Sequence, residues 1–217
     1  MTQSLMEVFD KLRKFYGPQN WWPAKTRFEV IVGAILTQNT SWANVEKAIK
    51  NLKKARVLSL GALVKMERKK LAQLIRPAGY YNVKSKRLKN FIDFLSFKYD
   101  ADLKGLVRLE TGRLRNELLD VNGIGPETCD SILLYAFGRA VFVVDAYTKR
   151  MFSRHGLFRE DATYEKMQKT FMDNLPPDPS MFNEYHALIV RLAKEFCKRG
   201  PRCGNCPMKN VVFCEGG

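Results

Sequence analysis

A chain of 217 residues can bury a sizeable core, as one large domain or two small ones sharing a cleft, so disorder is not expected. Its 37 Lys and Arg stand against 22 Asp and Glu, a formal charge of +15 spread along the whole chain, and a surface that basic points to a polyanion; as a mere aid to solubility it would cost self-repulsion. No apolar run approaches the roughly 20 residues of a spanning helix, and the start MTQSLMEVFDKLRKFYG lacks a signal-peptide core, so a cytoplasmic protein without membrane partners is expected.

In chain order, Leu5, Val8, Phe9, Leu12 and Phe15 recur at helical spacing over residues 4–16, and Gly17-Pro18 ends that helix. A loop with Trp21, Trp22 and Pro23 follows. The apolar segment 27–36 predicts a core helix closing at Thr37-Gln38-Asn39-Thr40, and a further helix runs over about 41–53. Two short helices are expected at 58–66 and 68–75, then a break at Arg76-Pro77-Ala78-Gly79. Residues 82–97 read as a basic amphipathic helix, with Val83, Leu88, Phe91, Ile92 and Leu95 inward and Lys84, Lys86, Arg87 and Lys89 outward, against solvent or DNA backbone.

Helices at 111–119 and about 126–137 flank VNGIGP, and Pro126 suits a first helical position, where its missing N–H has no partner to lose. In that turn Gly123 and Gly125 let backbone N–H groups approach a ligand closely, and the following helix N-terminus suits a phosphate. The apolar run 140–144 reads as a buried extended segment; Asp145 caps a helix to Arg154, and helices at about 163–174 and 180–196 complete an all-α fold.

Five cysteines are unevenly placed. Cys129 lies within the hairpin helix and reads as a small buried side chain. Cys197, Cys203, Cys206 and Cys214 occupy 18 residues, separated by five, two and seven; four thiolates in a reducing compartment suit zinc or a 4Fe-4S cluster, and spacing does not separate the two. Lys198, Arg199, Arg202 and Lys209 interleave them, as a loop touching phosphates requires.

The succession of helix, LLDVNGIGPETC hairpin, helix and VVDAY resembles the helix-hairpin-helix DNA glycosylases of the endonuclease III superfamily over nearly the whole chain. The resemblance implies two helical lobes, 20–139 and 1–19 plus 140–217, with double-stranded DNA in the cleft between them, a monomer, and a hairpin that holds a DNA phosphate. It implies Asp145 as the catalytic acid, and the chemistry agrees: base release develops oxocarbenium character at C1′, which a fixed carboxylate stabilises. Strand-nicking members carry a lysine in the hairpin helix whose amine attacks C1′; the corresponding residue here, 18 before Asp145, is Glu127, so a monofunctional glycosylase is expected. The resemblance also decides for 4Fe-4S, although members commonly space their cysteines six, two and five and this chain differs in the first and last gaps.

WWPA, FEVIVGAILTQNT and RPAGYYNVKSKRL look most like the branch that removes 3-methyladenine, where Glu likewise replaces the lysine. There the aromatic residues that sandwich the base fall on Trp21 and Trp42, with Trp22 and Pro23 alongside; the branch has phenylalanine where this chain has Trp42. A cationic alkylated purine leaves readily and favours electron-rich rings. Lys194 matches a lysine carbamylated near that pocket, and Gln38 and Tyr80 match the side chains that wedge into the duplex when the nucleotide leaves it. A glycosylase for oxidised pyrimidines or for uracil or thymine mismatches, and a non-catalytic iron-sulfur DNA-binding protein, are the alternatives.

Overall fold

The computed structural model describes residues 4–19, 21, 24 and 26–213, and every regular element among them is helical. Trp22, Pro23 and Cys214, named above as site residues, lie outside the described residues. The chain divides into two compact units: Met1–Pro23 with Gly138–Gly217, and Ala24–Phe137.

The second unit is built on α2 (Arg27–Thr37), in which every residue from Phe28 to Leu36 is buried. A helix apolar on all sides belongs in a core, and α2 packs against α3 (Trp42–Lys54), α6 (Tyr81–Tyr99) and α9 (Pro126–Phe137). Helices α4 (Leu60–Lys65) and α5 (Arg68–Leu74) cover α6, and α8 (Thr111–Leu119) pairs with α9. A four-residue helix, α7 (Lys104–Val107), and a 3-10 turn, Arg76–Ala78, are additions to the expected elements; both are too short to leave a periodic signal. Between α8 and α9 a forked ion pair joins Arg115 Nε to Asp130 Oδ1 (2.8 Å) and Arg115 Nη2 to Asp130 Oδ2 (3.2 Å), with the aspartate wholly buried.

Two expectations for α6 are reversed. Val83, expected inward, is 48% exposed, whereas Lys84, expected outward, is 1% exposed. The ammonium tolerates burial because Nζ donates to Leu36 O (2.9 Å) and Ala78 O (2.7 Å). Cys129 is fully buried as expected, and burial pushes its thiol up to about 12.

The first unit comprises α1 (Leu5–Tyr16), α10 (Ala146–Arg154), α11 (Tyr164–Asn174) and α12 (Pro179–Glu195). A capping box starts α1: Glu7 N donates to Ser4 Oγ, and Ser4 N to the Glu7 carboxylate. Its core is aromatic. Phe142 stacks on Phe171 with ring centroids 4.1 Å apart, Phe152 and Tyr185 meet them edge-on, and the Tyr185 hydroxyl donates to Leu5 O (2.9 Å). Residues 141–144 are buried without regular hydrogen bonding, as the sequence suggests, and Gln168 Nε2 supplies a donor to Phe142 O (2.7 Å).

Candidate active site

Asp145 is the N-cap of α10, and capping uses only half of its carboxylate. Oδ1 accepts from Thr148 N (2.7 Å) and Thr148 Oγ1 (3.0 Å), whereas Oδ2 faces His186 Nε2 on α12 at 3.5 Å. Burial works to raise the carboxyl pKa, but the neighbouring His186 and the two Thr148 donors outweigh it and hold Asp145 below its ordinary value. A carboxylate held ionised in a site sheltered from water is suited to stabilising a developing cation.

Other groups of the first unit gather beside it. The Trp21 ring meets His186 edge-on with centroids 6.4 Å apart, and Lys194 Nζ stands 6.0 Å from the Trp21 centroid and 5.8 Å from that of Tyr147. Trp21 Nε1 is buried with no hydrogen-bond partner among the described residues. Trp21, Lys194 and Asp145 therefore belong to one cluster, completed by His186 and Tyr147. Sequence reasoning missed both of the latter. Tyr147 follows two residues after Asp145, whereas His186 lies in an ordinary amphipathic stretch; its only mark is being one of 2 histidines in the chain. Trp42 is the half-buried first residue of α3, in the other unit.

In the second unit the hairpin closes through Ile124 N to Val121 O (3.0 Å). Gly123 has φ +100, and a Cβ there would stand 2.3 Å from Arg87 Cγ, so backbone conformation and packing both demand glycine. Glu127 lies exposed in the first turn of α9, where the helix dipole favours a carboxylate. Gln38 is tied to the hairpin: Nε2 donates to Gly123 O (2.9 Å) and Thr128 Oγ1 (2.9 Å), and Oε1 accepts from Arg87 Nη1. Tyr80 is 71% exposed on a left-handed backbone at φ 44, which excludes the core-packing role that a tyrosine so often has.

The described cysteines of the C-terminal loop converge. Cys197, Cys203 and Cys206 are free thiols lining one cavity of about 580 Å³, together with Arg154, Arg202 and Lys209. A tight turn, Cys206 N to Cys203 O (3.2 Å), brings two of them together, and Arg154 Nη1 donates to Cys197 Sγ (3.4 Å). Arg150 Nε donates to Cys197 O (2.7 Å), so α10 carries Asp145 at its start and binds the cysteine loop farther along. These thiols stand beside cationic donors, but among the described residues no three His, Cys, Asp or Glu side chains form a group that could hold a metal ion.

A hairpin between two clamped helices and, after it, an aspartate-capped helix bound to a cysteine loop define a DNA-repair glycosylase architecture. The chain belongs to the HhH-GPD superfamily of base excision DNA repair proteins, whose sequence profile matches residues 32–177. It is 51% identical, over 98% of its length and 96% of the relative's, to a Methanocaldococcus jannaschii protein provisionally named a DNA repair glycosylase. Endonuclease III of Sulfolobus acidocaldarius is 26% identical over 88% of this chain and 83% of its own. Among solved structures, the Helicobacter pylori 3-methyladenine DNA glycosylase bound to 1,N6-ethenoadenine superposes with a TM-score of 0.78 at 28% identity, covering 89% of this chain and 98% of that one. A non-covalent endonuclease III–DNA complex shares the fold, with a TM-score of 0.81 at 22% identity over 95% and 92% of the two chains.

Proposed function

We propose that this chain is a monofunctional DNA glycosylase that hydrolyses the N-glycosidic bond of alkylated purines such as 3-methyladenine in double-stranded DNA. The observation that carries this reading is the cluster of Asp145, Trp21, Tyr147 and Lys194: an ionised carboxylate beside aromatic rings that already hold a cation against their faces. A cationic purine gains from such rings and needs little protonation to leave, so the carboxylate has only to stabilise positive charge growing at C1′ and orient water. In this reading Trp22, Pro23 and Trp42 contact the extruded base, and Gln38, Tyr80, Gly123 and Gly125 contact the DNA. The likeness to the H. pylori 3-methyladenine glycosylase supports the substrate class.

Glu127 supports a hydrolytic reaction without strand nicking, because a carboxylate cannot form the Schiff base on which nicking depends. We assign a 4Fe-4S cluster to Cys197, Cys203, Cys206 and Cys214; when bound it would serve as a rigid anionic staple for the loop that Arg150 and Arg154 hold on α10. Duplexes carrying 3-methyladenine, 7-methylguanine, uracil, thymine glycol or a G·T mismatch, each incubated with the protein and divided between alkali and neutral work-up, test the reading. Alkali-dependent breaks confined to the methylated purines are expected; release of uracil or thymine glycol, or breaks without alkali, would overturn it.

A further inference from the structure

Helix α6 carries a polar stripe, Lys84, Arg87 and Asn90, that reaches the residues proposed above to contact DNA in its own unit. Arg87 holds the Gln38 side chain and packs on Gly123, and Asn90 Nδ2 donates to Asn122 O (2.8 Å). Lys84 is the buried end of the stripe. One of its bonds is to Leu36 O, two residues before Gln38; the other is to Ala78 O, two residues before Tyr80.

Burying an ammonium is expensive. No carboxylate pairs with Lys84 among the described residues, and burial followed by the charge of Arg87 pushes its pKa from 10.5 down to about 8. Methionine would fill the same inward position without that penalty, so stability alone does not account for a lysine. What lysine adds is a long stem ending in three donors, able to tie two separate carbonyls to one point. Those carbonyls anchor the turns that present Gln38 and the exposed, left-handed Tyr80.

We infer that Lys84 is a positioning residue for nucleotide extrusion, fixing the Gln38 turn and the Tyr80 turn at one separation so that the two side chains enter the duplex as a pair. This rests on the reading of Gln38 and Tyr80 as wedges. In the present conformation Gln38 spends both amide donors and its carbonyl on the hairpin and Arg87. Because Lys84 grips the main chain instead of the side chain, Gln38 can exchange those bonds for the duplex while its turn stays in place.

The test is a double-mutant cycle between Lys84→Met and Tyr80→Ala. The readout is fluorescence of 2-aminopurine placed beside a non-hydrolysable alkylated base, with binding to undamaged duplex and thermal stability measured in parallel. Each single change should reduce extrusion by roughly fivefold, and the double variant should be no worse than Tyr80→Ala alone within about twofold, the non-additivity expected of residues acting as one unit. Undamaged-duplex affinity should stay within about twofold, since no phosphate contact is removed. Lys84→Gln, whose amide nitrogen ends one bond short of the lysine ammonium, runs the same cycle should Lys84→Met not fold. Fully multiplicative effects, or normal extrusion in the Lys84 variants, would overturn the inference. Normal extrusion in both Tyr80→Ala and Gln38→Ala would instead refute the wedge reading beneath it.

Discussion

His186 Nε2 faces Asp145 Oδ2 at 3.5 Å, while the other oxygen of the same carboxylate is occupied by Thr148. The cap fixes the carboxylate's orientation and turns its second oxygen toward His186. Asp145→Asn keeps an acceptor for Thr148 and removes the charge. Single-turnover base release from 3-methyladenine DNA should fall by roughly 100- to 10,000-fold, the range typical of losing one positioned catalytic group, with duplex affinity nearly unchanged. Release within a few-fold of the parent would remove Asp145 from the chemistry.

The same pair predicts a pH effect with a definite sign. Burial pushes the Asp145 carboxyl up, and His186 and Thr148 more than compensate, so the folded carboxyl titrates below its ordinary 3.8. Activity that depends on the carboxylate is present above that folded pKa and is lost as pH falls through it. His186→Phe keeps the burial and deletes the largest compensating influence, so the acid limb of kcat/KM should move to higher pH. A pH–rate profile whose acid limb does not move would show that His186 does not set the charge of Asp145.

The cysteine loop gives a prediction about metal. Purified under exclusion of oxygen, the protein should be brown and contain about four iron and four sulfide per chain. Cys197→Ser, Cys203→Ser or Cys206→Ser should each lose iron and colour. Because Arg150 and Arg154 join this loop to α10, each should also loosen the Asp145 helix and lower base release. Stoichiometric zinc without iron, measured by elemental analysis, would replace the cluster by the other tetrathiolate site the spacing allows.

Much of the helical order was legible because burial follows periodicity: α8, α9 and α10 begin and end where apolar spacing, Pro126 and the Asp145 cap place them. Lys84 shows where residue type misleads. Leu88, Phe91, Ile92 and Leu95 are buried, and a stripe through them extends back four residues to position 84, so period alone marked it as inward; only the charge argued otherwise. The site was half legible. Asp145 and Trp21 stand in recognisable local patterns, whereas His186 reaches the site through tertiary packing of α12 near α10, which no local spacing records. The fork between Arg115 and Asp130 was hidden for the same reason: 15 residues and a turn separate its ends.

That fork clamps the helices on either side of the hairpin, and it predicts an asymmetric mutational response. Arg115→Met leaves the wholly buried Asp130 without its forked partner, which should cost about 3–5 kcal/mol and lower Tm by roughly 6–20 °C for a chain of this size. Asp130→Leu combined with Arg115→Met removes both charges and should recover most of that loss, because an apolar pair of similar volume carries no desolvation cost. Thermal melts of the two variants read the difference directly. Equal destabilisation in both would show that the attraction within the pair outweighs its desolvation cost. Binding to undamaged duplex separates the roles further: if the fork sets hairpin geometry, the double variant should regain stability and still bind DNA more weakly than the parent.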